Sequence, residues 1–200
     1  NATYNASNLR FHSVEVVIAD EYDDAKKADK EEGNLFDLIL GRTKSYADTR
    51  RLCFLSSPKI KGQSNIEYVY NLGDKREWCW KCPHCKEYIP ILWRVEKEDG
   101  TFGGIKWQLD ENDELIEESV HYECQKCCGR IEYRMKYSLN LTGDWFPTCK
   151  PKRPRCRSYR FNALCNPPGF ESWADMARQF LDACPKNQPI DLDVLKVFTN

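Results

Sequence analysis

The first 58 residues alternate between apolar and polar segments in a way that predicts a strand, a helix and a second strand. The nearly continuous, β-branched run VEVVIA at residues 14–19 is typical of a buried strand in a parallel sheet covered on both faces. A polar loop follows. The segment NLFDLILGRTKSYA, with Asn34 as its candidate N-cap, then has apolar residues at helical spacing, namely Leu35, Phe36, Ile39 and Leu40. The run LCFLSSP at residues 52–58 predicts the second strand, ended by two serines and a proline.

The pattern changes at Trp78, where cysteines, aromatic residues and short β-like pieces replace the earlier alternation up to Tyr137. We expect an inserted small β module at residues 78–137, between a first segment at 1–77 and a last segment at 138–200. In the last segment, GDWFP and YRFNALCNP favour further strands, and SWADMARQFLDAC favours an amphipathic helix with a serine N-cap. Together these segments predict an α/β protein with an inserted β module.

Acidic and hydroxyl side chains follow the two predicted strands. Asp20 and Glu21 come directly after the first strand, and Ser56 and Ser57 end the second. The carboxyl ends of parallel strands share one edge of a sheet, where ligand chemistry gathers. At such an edge an aspartate can hold the hydration shell of Mg²⁺, while the next glutamate polarises the water that attacks a nucleoside triphosphate. Acidic residues also commonly cap strands before solvated loops, so this motif by itself leaves both interpretations open.

Two C-x2-C pairs, Cys82 with Cys85 and Cys124 with Cys127, stand out among eleven cysteines. Each pair can aim two thiolates at one ion, and four thiolates are a ligand set that Zn²⁺ accepts in closed structural sites. The intervening segments EKEDGTFGG and DENDELIEE are typical of turns that extend a hairpin-like insertion. A thioredoxin-like redox pair and a catalytic zinc with an open position are the alternatives. We expect structural zinc, in a reducing compartment where such thiols persist.

The register of the zinc site depends on two neighbouring thiols. Cys79 lies three residues before Cys82, and Cys128 follows the last cysteine of the second pair, so either could supply a ligand in an alternative register. We expect Cys79 to lie on the strand that enters the first pair and Cys128 to lie beside the turn at Gly129. His84 is expected to be a surface residue of the first pair.

The overall charge gives no general attraction to polyanions, since the formal net charge is -1. No apolar run approaches the roughly 18 residues of a membrane span, so we expect no membrane segment. A nucleic-acid surface would have to come from local charge. The stretch KPKRPRCRSYR contains no acid, and it is either a solvated connector or a phosphate-contacting surface. Its basic side chains are Lys150, Lys152, Arg153, Arg155, Arg157 and Arg160.

Several motifs occur in a fixed order along the chain. VVIADEYD is followed by EEGNLFDLILGRTKSYADTRRLCFLSSPKIKGQSNIEYVYNLGDKREWCWKCPHC, and then by YECQKCCG, LTGDWF and SWADMARQFLDA. This order, from about residue 14 to the last residue, resembles the ATPase region of the large terminase subunit of lambda-like tailed bacteriophages, the GpA family.

The resemblance implies an ASCE-type P-loop ATPase core that drives viral DNA into a procapsid. Residues 1–77 and 138–200 would belong to that core, with a zinc-ribbon-like insertion at 78–137. The implied cofactors are ATP, Mg²⁺ and structural Zn²⁺. The implied partners are double-stranded viral DNA, the small terminase subunit, the portal and procapsid, and further copies of the chain, all in the host cytoplasm.

The resemblance also implies roles for particular residues. Asp20 matches the Mg²⁺-associated Walker B acid, and Glu21 matches the catalytic glutamate. The motif that couples hydrolysis to DNA movement would be formed by Ser56, Ser57 and Pro58.

Three departures from the family pattern stand out. Neither a G-x-x-x-x-G-K-[ST] phosphate loop nor the nuclease carboxylates of the family occur in the sequence. We therefore expect a piece of a longer ATPase and endonuclease, inactive by itself. Ser57 stands where the family has a threonine, and Cys128 stands where a glycine normally follows the second cysteine pair.

Two other hypotheses remain. The first is a zinc-ribbon nucleic-acid-binding module without motor activity, in which the basic stretch and aromatic residues such as Trp78 and Trp80 hold DNA. The second is a superfamily-two helicase with the same acidic strand end, although the other helicase motifs are not visible.

Overall fold

The computed structural model describes residues 13–24, 35–58 and 62–184. These residues form two compact units. The first unit consists of the described segments up to Lys75 and of residues 149–158, and the second consists of residues 76–148 and the segment from Tyr159 onward. The predicted N-cap Asn34 lies outside the described residues. The predicted insertion at 78–137 lies within the second unit, which extends beyond it in both directions.

The first unit contains a parallel two-stranded sheet and two α-helices. Its elements in chain order are β1 (Val16–Ala19), α1 (Leu35–Arg42), β2 (Arg51–Phe54) and α2 (Asn65–Tyr70). Strands β1 and β2 pair in parallel, with Val17 opposite Leu52 and Ala19 opposite Phe54. The predicted order of strand, helix and strand is therefore confirmed.

Within the described residues, helices α1 and α2 cover one face of this sheet. Side chains from that face pack with both helices in one cluster, formed by Ala19, Tyr22, Leu35 and Ile39 with Val17, Leu52, Phe54, Ile66 and Val69. On the other face, Val16 is 57% exposed and Ile18 is 67% exposed. The prediction of a strand covered on both faces is thus wrong for the described residues, because α1 and α2 pack on the same side.

The second unit contains two four-stranded sheets and two α-helices. Its elements in chain order are β3 (Arg76–Lys81), β4 (Tyr88–Pro90), β5 (Arg94–Glu96), β6 (Phe102–Leu109), β7 (Leu115–Glu123), β8 (Arg130–Glu132), α3 (Lys136–Leu141), β9 (Asp144–Pro147), β10 (Tyr159–Arg160) and α4 (Trp173–Ala183). Strands β5, β6, β7 and β8 form an antiparallel sheet in chain order. In the other sheet, β3 pairs with β4, β9 and β10.

Three large aromatic side chains lie at the centre of the second unit. Trp80, Tyr122 and Trp173 are fully buried, and their ring centroids are 6.1 to 6.3 Å apart. The indole N–H of Trp80 donates to Asn140 Oδ1 at 2.8 Å, and that of Trp173 donates to the Leu164 carbonyl at 2.9 Å. Both buried donors are therefore satisfied. The hypothesis that Trp80 holds DNA is wrong, because its ring has no exposed surface.

Helix α4, which the sequence predicts with its serine N-cap, packs on this core. Its N-cap Ser172 accepts from the backbone N–H of Asp175, whose carboxylate accepts in return from the Ser172 backbone, so a capping box fixes the start of the helix. The side chains of Trp173, Met176 and Ala177 are buried, and the helix packs on β6 and β7. At 11 residues it is long for this fold, yet none of the described helices is long and apolar enough to cross a membrane.

The segment YRFNALCNP is mostly not a strand. Within it, β10 covers Tyr159–Arg160 only, and Ala163–Cys165 forms a 3-10 turn. The Asn162 side chain accepts from the Leu164 backbone N–H at 2.9 Å. This local bond offers the backbone an alternative to a sheet ladder, which explains the difference from the prediction.

Candidate functional site

The two cysteine pairs lie in two similar turns of the second unit. Cys82 and Cys85 lie between β3 and β4, and Cys124 and Cys127 lie between β7 and β8. In the first turn, the Lys86 N–H donates to the Cys82 carbonyl at 3.0 Å. In the second, the backbone N–H after Cys127 donates to the Cys124 carbonyl at 2.9 Å. Each turn therefore folds its two sulfurs toward the same side.

The four sulfurs of these pairs form one cluster. All four lie within 4.8 Å of one another, and the structure brings together the ligands that the sequence predicts, Cys82, Cys85, Cys124 and Cys127. The Cys82 and Cys127 sulfurs are 3.8 Å apart, and those of Cys85 and Cys124 are 4.0 Å apart. A tetrahedral zinc with Zn–S bonds of 2.3 Å requires S–S distances of about 3.8 Å. The donor set and its spacing thus fit a zinc ion.

The neighbouring thiols point elsewhere. The Cys79 thiol is buried and donates to the Glu77 carbonyl at 3.7 Å. The Cys128 sulfur accepts from Lys97 Nζ at 3.1 Å, and that ammonium also pairs with Glu123 at 2.6 Å. Neither thiol belongs to the cluster of four.

The backbone at Cys128 has a conformation that usually favours glycine. The residue after each cysteine pair has a left-handed backbone, with φ of 67° at Lys86 and 58° at Cys128. This conformation favours glycine, which is the residue that the family pattern leads one to expect there. The backbone of Cys128 forms part of the turn, while its side chain contacts Lys97.

The environments of the two cysteines in the second pair differ. Burial raises the pKa of Cys124 to about 12. Burial also opposes ionisation of Cys127, but the Gly129 backbone N–H and hydrogen bonds from the Cys124 and Cys85 thiols lower its pKa to about 7. Cys127 is also the exposed member of the cluster. Of the second pair, Cys127 is therefore the thiol that ionises more readily, and it lies where the cluster meets solvent.

His84 joins the two turns without being a member of the sulfur cluster. It is exposed, and its Nε2 atom lies 2.8 Å from the Arg130 carbonyl oxygen. Its ring also packs on Gly129, where an added Cβ would lie 2.4 Å from His84 Cδ2. The glycine thus permits the close approach of the two turns.

The acidic strand end lies in the first unit. Asp20 and Glu21 are both exposed and directly follow β1. Asp20 Oδ1 accepts from the Glu21 N–H at 3.0 Å, and Glu21 has a left-handed backbone with φ of 49°. Such a conformation is uncommon for glutamate and is often held by tertiary contacts at functional sites. A 3-10 turn at Tyr22–Asp24 follows the two carboxylates.

The loops after β1 and β2 run side by side. The Leu55 N–H donates to the Ala19 carbonyl at 2.8 Å, and the Tyr22 N–H donates to the Leu55 carbonyl at 3.0 Å. The ladder thus continues past both strands and places the Asp20 turn next to Ser56. Ser57 and Pro58 continue this second loop and are exposed.

Asp23 is a residue of this edge that sequence reasoning missed. Its backbone N–H donates to Ser56 Oγ at 3.1 Å. Its carboxylate accepts from Ser64 Oγ at 2.8 Å and from the Ile66 N–H at 2.9 Å, at the start of α2. Ser64 is also the N-cap of α2 and accepts from Glu67. The sequence shows the S-x-x-E capping pattern of Ser64 and Glu67, but it does not show that Ser64 also contacts Asp23.

The basic stretch belongs mostly to the first unit. Residues 149–158 are held there because the Ser158 hydroxyl accepts from the Lys75 N–H at 2.9 Å and its backbone N–H donates to Asp74 at 3.3 Å. Arg153 is half-buried, with its guanidinium 5.4 Å from the Phe36 ring centroid. The basic side chains of this stretch that are exposed are Lys150, Lys152, Arg155 and Arg157 in the first unit and Arg160 in the second.

The comparisons with known proteins bear on the family of the chain. A protein-family model described as phage terminase large subunit gpA, ATPase domain, matches residues 1–145 of the 200-residue chain. The searches of curated proteins and of solved structures found no match. The matched span includes the acidic strand end, the serine loop and both cysteine pairs. The chain therefore belongs to the family of the phage terminase large subunit gpA, in its ATPase domain.

Proposed function

We propose that this chain is part of the ATPase of a phage DNA-packaging motor, and that the edge formed by Asp20, Glu21 and Ser56 is its hydrolytic and coupling site. Support comes from the adjacent ends of two parallel strands, which place two exposed carboxylates beside the serine loop. This is the edge at which parallel α/β sheets bind ligands.

In this proposal the two carboxylates have different tasks. Mg²⁺ bound to ATP neutralises charge on the phosphates. Asp20 would hold a water of the Mg²⁺ shell, and its backbone contact with Glu21 fixes the carboxylate at the strand end. Glu21 would accept a proton from the attacking water, since it is exposed at the end of the turn.

The loop of Ser56, Ser57 and Pro58 would transmit the state of the nucleotide. Ser56 contacts the Asp23 backbone, and the Asp23 carboxylate contacts the start of α2. A shift of the loop after β1 during hydrolysis would therefore change contacts of the serine loop and of α2. This connection is a physical route from chemistry to movement, of the kind that a motor requires.

The zinc ion would have a structural task. We propose that Zn²⁺ binds Cys82, Cys85, Cys124 and Cys127 and joins the two turns of the second unit. Four protein ligands leave no open position for a substrate, which favours stabilisation over catalysis.

The working motor would act with other components. We propose that the exposed residues Lys150, Lys152, Arg155 and Arg157 contact phosphates of double-stranded viral DNA, and that Arg153 contributes mainly through packing. The small terminase subunit, the portal and procapsid, and further copies of the chain would complete the complex in the host cytoplasm. We propose that the full-length protein would also be an endonuclease.

The direct test is ATP turnover by a longer protein that carries the phosphate-binding loop, measured with linear DNA present. Glu21→Gln should abolish turnover while nucleotide binding persists, because the amide cannot accept the proton. Glu15→Gln is a matched control, since Glu15 is exposed and lies just before β1. Equal turnover in the Glu21→Gln protein and the parent would refute the assignment.

A further inference from the structure

A lysine, a cysteine and a glutamate from three segments of the second unit meet beside the sulfur cluster. Lys97 directly follows β5, Glu123 ends β7, and Cys128 lies in the turn between β7 and β8. The Nζ atom of Lys97 lies 3.1 Å from Cys128 Sγ and 2.6 Å from Glu123 Oε1. A lysine nitrogen and a cysteine sulfur are therefore at hydrogen-bond distance, although they are 31 positions apart in the chain.

The structure holds both side chains in position. The Cys128 backbone N–H donates to the Cys124 carbonyl at 2.9 Å, and the Lys97 N–H donates to the Thr101 carbonyl at 2.8 Å. The Lys97 side chain is only 10% exposed, so it has lost most of the rotamers that a lysine has in solvent. Cys128 is exposed and is not a member of the cluster of four sulfurs. A small solute can therefore reach the Cys128 sulfur, with the lysine nitrogen fixed beside it.

We propose that Lys97 and Cys128 are the site of an oxidative modification, in which one oxygen atom joins Nζ to Sγ in a covalent N–O–S bridge. The oxidant is hydrogen peroxide. Exposed thiols are oxidised first to sulfenic acids, which then condense with a neighbouring group. At Cys128 a lysine nitrogen lies within hydrogen-bond distance of the sulfur, so the two atoms need little movement to share one oxygen. This modification goes beyond ATP-driven packaging and does not depend on the acidic strand end.

Two molecules of hydrogen peroxide supply the oxidation. With the first, Cys128 Sγ bonds to one peroxide oxygen, the O–O bond breaks, and the thiol proton joins the departing hydroxide as water, which leaves a sulfenic acid. The Lys97 ammonium gives one proton to Glu123, its partner at 2.6 Å. With the second peroxide, Nζ bonds to one oxygen, the O–O bond breaks, and an N–H proton joins the departing hydroxide as water, which leaves a hydroxylamine.

The two oxidised groups then condense. The hydroxylamine oxygen bonds to Cys128 Sγ, the S–O bond of the sulfenic acid breaks, and a third water leaves. The nitrogen and the sulfur together lose four electrons, which reduce the two peroxides. Hydrogen bonds to Glu123 and to Cys128 raise the pKa of Lys97, so oxidation of the nitrogen is slower than that of the sulfur. The sulfenic acid should therefore form first.

The bridge would join two neighbouring parts of the second unit. Lys97 lies in the connection from β5 to β6, and Cys128 directly follows Cys127 in the second cysteine turn. A covalent bond between them would tie that turn to the hairpin of β5 and β6. It would also remove the charge of Lys97, because a nitrogen bonded to oxygen is a much weaker base than an amine. Exposure to peroxide would thus change one of the two turns that carry the clustered cysteines.

The test treats the zinc-loaded chain with hydrogen peroxide, digests it with trypsin and identifies the peptides by mass spectrometry. We expect loss of cleavage after Lys97, because trypsin requires a free lysine side chain. The peptides that contain Lys97 and Cys128 should be joined, with a gain of one oxygen atom and a loss of two hydrogen atoms. Excess dithiothreitol should separate them and restore cleavage. Zinc content and far-UV circular dichroism, measured before digestion, establish that each chain is folded.

Three variants separate the bridge from ordinary thiol oxidation. Lys97→Arg keeps a cation beside the sulfur and should be oxidised at Cys128 without forming the bridge. Cys128→Gly suits the left-handed backbone and should also form none. Lys126→Arg changes an exposed lysine of the same turn and should form the bridge as fully as the parent chain.

Two results would overturn the proposal. One is a parent chain in which Cys128 forms only a disulfide or a sulfinic acid while trypsin still cleaves after Lys97. The other is the same joined mass in the Lys97→Arg chain. Glu21→Gln should form the bridge normally, so this test stands apart from the ATPase test.

Discussion

The backbone N–H of Asp23 donates to the hydroxyl of Ser56 at 3.1 Å, and this bond joins the loop after β1 to the loop after β2. The carboxylate of Asp23 extends the connection to Ser64 and Ile66 at the start of α2. One residue therefore joins the loop after β1 to two other segments of the first unit, and the part of the proposed coupling that reaches α2 depends on its side chain.

Removal of the Asp23 carboxylate should destabilise the first unit. Asp23→Ala leaves the Ser64 hydroxyl and the Ile66 N–H without this acceptor, so the free energy of unfolding should fall by about 2 kcal/mol, as for other hydrogen bonds to charged groups. Urea unfolding followed by circular dichroism measures the change. Asp48→Ala alters an exposed turn residue and should have little effect. A decrease of the same size in both variants would contradict the role of Asp23.

Zinc content should distinguish the four clustered cysteines from their neighbours. Cys82→Ser and Cys124→Ser should each lose most of the bound metal, because a serine hydroxyl is a poor substitute for a thiolate. Cys79→Ser and Cys128→Ser should keep one zinc per chain, since their sulfurs face Glu77 and Lys97. Atomic absorption on purified chains gives the stoichiometry. Loss of zinc from the Cys128→Ser chain would show that the register is wrong.

Zinc affinity should fall as the pH is lowered. Zinc binds thiolates, whereas without metal the Cys124 pKa is raised to about 12 by burial and that of Cys127 is about 7. Protons must therefore leave when the metal binds, and lower pH opposes their release. Between about pH 8 and pH 6 the affinity should fall at least tenfold per pH unit. Competition with a chromophoric chelator measures this slope, and a flat profile would contradict thiolate ligation.

Replacement of Lys136 by methionine should stabilise the second unit. Lys136 is 3% exposed, and within the described residues its Nζ atom has no hydrogen-bond partner. Burial lowers the pKa of Lys136, partly opposed by Cys165, so the protonated form is less favourable in the folded chain than in the unfolded one. Lys136→Met should raise the free energy of unfolding by about 1–3 kcal/mol at neutral pH.

The pH dependence of this stabilisation has a definite sign. The cost of the buried ammonium is fully present below the folded pKa, and it disappears as the pH rises toward the unfolded value of 10.5. The advantage of Lys136→Met should therefore shrink in alkaline solution. Thermal unfolding across this range tests the trend, with exposed Lys150→Met as the control. A constant difference at all pH values would assign the effect to packing instead.

Local patterns in the sequence predicted the parts of the fold that depend on near neighbours. The apolar runs gave β1 and β2, Ser172 marked the start of α4, and the C-x2-C spacing identified the four clustered cysteines. In each case, the information lies within a few residues along the chain.

Contacts between distant residues could not be predicted in the same way. Asp23 meets Ser64 across 41 positions, and Lys75 meets Ser158 across 83. The exposure of Ile18 also depends on which elements pack against its face, and an apolar run does not specify them. Lys97 likewise meets Cys128 across 31 positions.

The division of the chain into units has a consequence for any attempt to isolate the cysteine cluster. The backbone passes from one unit to the other after residues 75, 148 and 158. A fragment of residues 76–148 would contain all four ligands, but it would lack α4 and the fully buried Trp173 that packs on Trp80 and Tyr122. Such a fragment would expose its core to water and aggregate. A version of the second unit made by itself would need a short artificial linker in place of residues 149–158. In the intact chain, limited proteolysis within residues 149–158 should leave two pieces that remain associated.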